Sequence, residues 1–146
     1  KKLKTNVKFL YKVIKTYNSA MSFSLTLFSL TLLANSVLPI TIIKDCYDGD
    51  TCTTLDNERI RLACIDTPEL KGKNADPFAA NKAKKFLNDL IVHEEVKIRR
   101  ITKDKYGRTV AELFKNDVNI QKLIVEKEYG KIYRKYSYQC EWTNNY

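Results

Sequence analysis

The nine residues Arg61-Leu62-Ala63-Cys64-Ile65-Asp66-Thr67-Pro68-Glu69 constrain this chain more than any other stretch. They begin as an apolar run of β character and break into Asp-Thr-Pro-Glu. Proline has no N–H for a β-ladder and biases the residue before it away from helix, so a strand here must stop near Thr67. The stop leaves two carboxylates, Asp66 and Glu69, on a loop at the end of a buried strand, where a rigid scaffold can hold chemically active groups. Arg61 and Asp66 lie five positions apart. On an unbroken strand they would face opposite sides, so a site that uses both requires a bend or bulge between them.

The surrounding pattern is mainly β. Leu38 to Ile43, Thr51 to Leu55, Arg59 to Ile65, Val96 to Ile101 and Thr109 to Phe114 read as five strands, with turn residues at Asp56-Asn57 and Asn116-Asp117. A hairpin turning on Asp56-Asn57 alone would set Leu55 opposite Glu58 and Asp50 opposite Ala63. Arg61 would then be the same-face diagonal neighbour of Asp50. Asp76-Pro77 reads as an N-cap and first helical position, opening a helix to about Leu90 with Phe78, Ala79, Ala83, Phe86, Leu87 and Leu90 at helical spacing. A second helix is expected from about Asn119 to Lys127. Lys82, Lys84 and Lys85 form the solvated face of the first helix, and His93 is expected at the surface beyond its end.

Charge is unevenly placed. The chain carries +9 overall, but residues 1–36 hold six lysines and no acid, leaving 20 basic and 17 acidic residues, or +3, for residues 37–146. That balance does not by itself signal nucleic-acid binding. The uncharged apolar stretch Met21 to Ala34 follows the lysines. Its 14 residues would span about 21 Å as a helix, against about 30 Å for a bilayer core. With small residues at Ala34-Asn35-Ser36, residues 1–36 read as a basic region plus a secretory signal cleaved after Ser36, and residues 37–146 as the folded domain. The expected location is secreted or periplasmic; the alternative is a retained membrane anchor. All four cysteines, Cys46, Cys52, Cys64 and Cys140, follow that segment. They contain no Cys-x-x-Cys, and His93 is the only histidine, which argues against structural zinc. In an exported protein the even count argues for disulfides in any of three pairings; in a cytosolic one they would be buried free thiols.

Three short pieces remain: Asp48-Gly49-Asp50-Thr51, the Arg61 to Glu69 stretch, and Asp104-Lys105-Tyr106-Gly107-Arg108. Each alone is a common turn or helix start. In this order, among five strands and two helices, they resemble the thermonuclease family of staphylococcal-nuclease-like domains over roughly Ile40 to Tyr136. The resemblance implies a five-stranded OB-type β-barrel with two packed α-helices. It implies calcium-dependent hydrolysis of phosphodiester bonds in DNA and RNA with little sequence specificity, by a monomer. Asp50 and Asp66 match the family's metal carboxylates, and Thr67 supplies a backbone carbonyl; hard oxygen donors suit calcium. Glu69 matches the carboxylate that orients or deprotonates water. Arg61 and Arg108 match the phosphate-gripping guanidiniums, for which bidentate geometry favours arginine over lysine. Asp48 matches a carboxylate near the metal that also serves the turn. Lys105 and Tyr106 fall where the family contacts a nucleotide phosphate, and Tyr133 and Tyr136 near the rim where its tyrosines meet the base. The resemblance further implies a third helix after the tyrosine-rich segment; here, with Cys140 and Trp142, either Tyr138 to Tyr146 substitutes for it, the disulfides compensate, or the chain is truncated. The competing reading is a non-catalytic OB-fold module binding nucleic acid or protein. The presence of Asp50, Arg61, Asp66, Glu69 and Arg108 together favours the enzyme.

Overall fold

A computed structural model describes residues 37–146; residues 1–36, read above as basic region and signal, lie outside the described residues. Strand β1 (Ile40–Cys46) is followed by β2 (Thr51–Thr54), β3 (Arg59–Leu62) and the two-residue β4 (Ile65–Asp66). Helix α1 (Pro77–Ile91) leads to the long strands β5 (Glu95–Lys103) and β6 (Thr109–Lys115). The short β7 (Val118–Asn119), helix α2 (Ile120–Glu126), β8 (Lys131–Ile132) and two 3₁₀ segments (Arg134–Gln139 and Glu141–Asn145) complete the chain.

The main sheet runs β3-β2-β1-β5-β6-β7, and a parallel pairing of β3 with β6 closes its first five strands into a barrel. This is the expected five-stranded barrel with two packed α-helices among the described residues. Bulges between Ile43 and Asp45 in β1 and between Arg100 and Thr102 in β5 supply the local bending that closure needs. Ile43, Ile60, Leu62, Ile98 and Leu113 fill the interior. Helix α1 lays Ala80, Ala83, Leu87 and Ile91 against it, with the Asp76 carboxylate accepting from the Ala79 amide at 3.0 Å as the sequence led us to expect. Asn119 caps α2 in the same way through the Lys122 amide. The buried Gln121 of α2 accepts from the Leu113 amide and donates to the Ala111 carbonyl, so a polar side chain enters the core fully paired.

Three expectations need correction. The β2–β3 hairpin turns on Leu55-Asp56-Asn57 rather than on two residues: the Thr54 amide donates to the Glu58 carbonyl, and Asn57 takes a positive φ of 62°. This is the three-residue loop with a left-handed last position. It moves the register by one, so Thr51 rather than Cys52 is the Cα partner of Arg61, and Asp50 lies just beyond the paired residues. The run from Arg59 to Ile65 is not one strand, because Cys64 adopts φ 65° and separates β3 from β4. β5 continues to Lys103, beyond the expected end at Ile101, because β6 supplies ladder partners that far. The segment 134–145 folds as 3₁₀ turns, held to the β3–β4 kink by a Cys64–Cys140 disulfide. The second bridge, Cys46–Cys52, crosses between β1 and β2.

Candidate active site

The kink at Ala63-Cys64 turns β4 so that Asp66 comes round to the side of Arg61, which is the bend that two functional groups five residues apart require. Arg61 itself pins the kink from both ends: Nη1 donates to the Leu62 carbonyl and Nη2 to the Ile65 carbonyl, each at 3.0 Å. The same guanidinium reaches two carboxylates. Nη1 lies 3.0 Å from Asp50 Oδ2, and Nη2 lies 3.9 Å from Asp66 Oδ1. Lys131 adds a second cation, 3.6 Å from Asp66 Oδ2.

Asp50 sits one residue ahead of β2, in a turn closed by the Asp48 carboxylate accepting from the Asp50 amide at 3.0 Å. Asp50 Oδ2 accepts from the Thr67 amide at 3.1 Å and the Thr67 hydroxyl at 2.9 Å; Oδ1 accepts from the Thr51 hydroxyl at 3.2 Å. Burial pushes its carboxyl from 3.8 up to about 6, against the lowering by Arg61 and the Thr67 donors and with help from the Asp48 charge. Negative charge is therefore under-compensated at this point even with an arginine beside it.

Thr67 is fixed by two close glycines. A Cβ at Gly49 would stand 2.7 Å from Ala83 Cβ and 2.9 Å from Thr67 Oγ1, and one at Gly130 would meet Thr67 Cγ2 at 3.0 Å. Across the barrel, Arg108 Nε donates to Asp104 Oδ2 at 2.6 Å, and Nη1 donates to Thr51 Oγ1 at 3.3 Å. Burial pushes the Asp104 carboxyl up, but donors from Arg108 and the backbone amides of Arg108 and Tyr106 outweigh it and leave it below its ordinary value. Thr51 thus links the two arginines, taking a hydrogen bond from Arg108 and passing one to Asp50, which Arg61 holds.

A sequence profile of the staphylococcal nuclease homologue family matches residues 59–146, more than half of the chain. The chain belongs to the staphylococcal nuclease family. It is also 32% identical over 123 residues to an "uncharacterized endonuclease" of Haemophilus influenzae, covering 73% of this chain and 66% of that protein. A second relative, a "probable endonuclease" of Leptosphaeria maculans, is 36% identical over 72 residues, covering 44% of this chain and 24% of its own length. The chain thus spans just under two thirds of the first relative and about a quarter of the second.

In this staphylococcal nuclease family member, Asp50, Arg61, Asp66, Thr67 and Arg108 form one connected network. Glu69 is exposed and makes no ion pair or side-chain hydrogen bond among the described residues; its carbonyl accepts from the Asp76 amide, tying the loop to the start of α1. Lys105 and Tyr106 are exposed on the β5–β6 loop, with Lys105 Nζ 4.9 Å and Arg108 Cζ 5.4 Å from the Tyr106 ring centroid. Tyr133 and Tyr136 pack edge to face at 5.2 Å, half exposed, beside the kink. Sequence reasoning gave no role in the site to Thr51, Asp104, Lys131, Gly49 or Gly130. The adjacency of Thr51 and Asp104 to quoted motifs was the available signal.

Among the described residues no group of three or more His, Cys, Asp or Glu side chains is arranged to hold a metal ion by itself. The donors that are present, Asp50, Asp66 and the Thr67 carbonyl, are hard oxygens around an under-compensated buried charge. They fit a calcium ion that keeps several coordination positions for water and substrate oxygen.

Proposed function

We propose that this chain is a calcium-dependent nuclease hydrolysing phosphodiester bonds of DNA and RNA with little sequence specificity. One observation carries the reading: two arginines converge on the same buried carboxylate, Arg61 directly at 3.0 Å and Arg108 through the Thr51 hydroxyl. Two guanidiniums anchored so by their far hydrogen bonds are preorganised to receive an anion with several oxygens, which is what a phosphodiester offers. Family membership and the names of both relatives support it.

Asp50, Asp66 and the Thr67 carbonyl would hold the calcium, which when bound neutralises phosphate charge and polarises it toward attack. Glu69, exposed and free of partners among the described residues, takes a proton from the attacking water. Arg61 and Arg108 offset the charge that builds on the phosphorus-bound oxygens. Tyr106 and Lys105 contact the flanking nucleotide, a sequence-tolerant mode of holding a strand. The test is degradation of DNA and of RNA with millimolar-range calcium and then with excess chelator. Full activity in chelator would defeat the calcium assignment, and binding of nucleic acid with no cleavage under any metal would favour the non-catalytic OB-fold module.

The same reading places the mature protein outside the cytoplasm, secreted or periplasmic. Two disulfides support it, since such bonds persist in oxidising compartments. Protein recovered from a secreting host should begin at or near Val37.

A further inference from the structure

The turn that carries Asp48 and Asp50 is an electrostatically costly piece of chain. Asp48 is 9% and Asp50 5% exposed, so two carboxylates of one short loop are both withdrawn from water. Like charges brought together in a poorly hydrated place repel, and an open loop would rehydrate both. On the Asp50 side the loop is held by Arg61 and the Thr67 donors on its carboxylate and by the Leu62 amide on its carbonyl at 2.8 Å. On the Asp48 side it rests on Tyr47 N–H donating to the Thr51 carbonyl at 2.8 Å, the Asp48 cap on the Asp50 amide, and Gly49 wedged between Ala83 and Thr67. The Cys46–Cys52 bridge joins the two residues that pair directly across β1 and β2 at the base of this loop, with Cα atoms 3.9 Å apart. Cys46 and Cys52 are buried, and Cys46 N–H is anchored to Asn88 Oδ1 on α1 at 3.1 Å.

We propose that Cys46 and Cys52 are positioning residues: their disulfide clamps the Asp48–Asp50 loop closed against its own charge, and so presets the carboxylate that the proposed calcium site needs. The bridge encloses little chain, six positions against 76 for Cys64–Cys140, so loop entropy gives it the smaller general stabilisation. Its location gives it the larger local one. Oxidation then couples directly to metal affinity, and the enzyme works fully only where that disulfide has formed. The inference rests on the nuclease reading for its consequence and on the loop geometry for its substance.

The experiment compares the full chain with Cys46→Ala/Cys52→Ala and, as a control, Cys64→Ala/Cys140→Ala. Without added calcium, amide exchange is followed at Tyr47, Asp50 and Thr67, whose N–H groups bond within or onto the loop, and at Ile98 and Leu113 in the core. Calcium alone is then titrated calorimetrically. Loss of the loop bridge should speed exchange at the three site amides at least tenfold relative to the core pair, and weaken calcium binding at least tenfold. The control should lower thermal stability more while leaving exchange at the loop's own amides, Tyr47 and Asp50, within about twofold. Asp48→Asn added to the loop variant should restore part of the protection, because it removes one of the two repelling charges. If the loop variant does not fold, the same addition should recover folding; failure to recover it assigns the bridge to the core and overturns the proposal. Unchanged site exchange and unchanged calcium affinity overturn it as well. A wild-type protein that binds calcium but cleaves no nucleic acid would defeat the nuclease reading alone and leave the clamp standing.

Discussion

Gly49 approaches Thr67 so closely that a methyl group on the glycine would stand 2.9 Å from the threonine hydroxyl oxygen and 2.7 Å from the Ala83 Cβ. The contact docks the Asp48–Asp50 loop onto both α1 and the start of the Asp66–Glu69 loop. Gly49→Ala should therefore force α1 and Thr67 apart. Overpacking of this kind costs about 1–3 kcal/mol, and about 4–8 °C of Tm per kcal/mol for a domain of this size. A thermal melt reads the loss; a Tm unchanged within 2 °C or so would mean that the loop docks more loosely than the distances say.

Glu69 and the two arginines should separate kinetically. Glu69→Gln keeps shape but removes basicity, so kcat should fall by about 10²–10⁴ while nucleotide binding persists. Arg61→Lys should weaken rate and inhibitor binding together, because Arg61 holds Asp50 in the resting site. Arg108→Lys should lower rate with little change in binding. Near-normal kcat in all three folded variants would leave the nuclease reading without its site.

A pH-dependent link lies away from the catalytic groups. The hydrogen bond from Arg100 holds the Glu58 carboxyl below its ordinary value of 4.5, assisted against burial by the Thr109 hydroxyl, which donates to Glu58 Oε1 at 2.7 Å. A carboxyl depressed in the folded state binds fewer protons there than when unfolded, so its stabilisation is complete above pH 4.5 and disappears as pH falls through the folded value. Glu58→Gln should thus be less stable than wild type at pH 7. The gap in urea midpoints should shrink steadily below pH 4.5; a gap constant down to pH 3 or so would refute the linkage.

The two disulfides should differ in global weight. From separations of 6 and 76 residues, the loop-entropy relation gives about 2–3 kcal/mol for Cys46–Cys52 and about 4–5 kcal/mol for Cys64–Cys140. Denaturant unfolding of the two double alanine variants checks the order, and the reverse order would show that local strain or residual structure outweighs chain entropy.

Much of the barrel was legible because its strands alternate or run apolar between strong turn signals, and because Asp76-Pro77 and Asn119 announce their helices chemically. The β2–β3 register was not. A two-residue and a three-residue turn around Asp56-Asn57 read alike in sequence, and the bond from the Thr54 amide to the Glu58 carbonyl decides between them. Arg61, Asp66 and Asp50 could be nominated from their motifs. Thr51, which joins Arg108 to Asp50, could not, since its role depends on β6 lying parallel to β3, a pairing between residues some 50 positions apart. Lys131 reaches Asp66 for a similar reason: β8 pairs with β4, and no local pattern foretells a two-strand sheet that short.

That parallel pairing has a consequence for the cell that makes the protein. Ile60, Arg61 and Leu62 meet Thr109, Val110 and Ala111 only when the barrel shuts. A nascent chain ending near residue 100 already carries Asp50, Arg61, Asp66 and Glu69, yet lacks Arg108 and the strand that seats it. On the proposed function, hydrolytic power arrives late and all at once, after nearly the whole domain has been made. On that reading, a chain still being made holds the metal carboxylates without the second guanidinium, and the phosphate grip forms only as β3 meets β6.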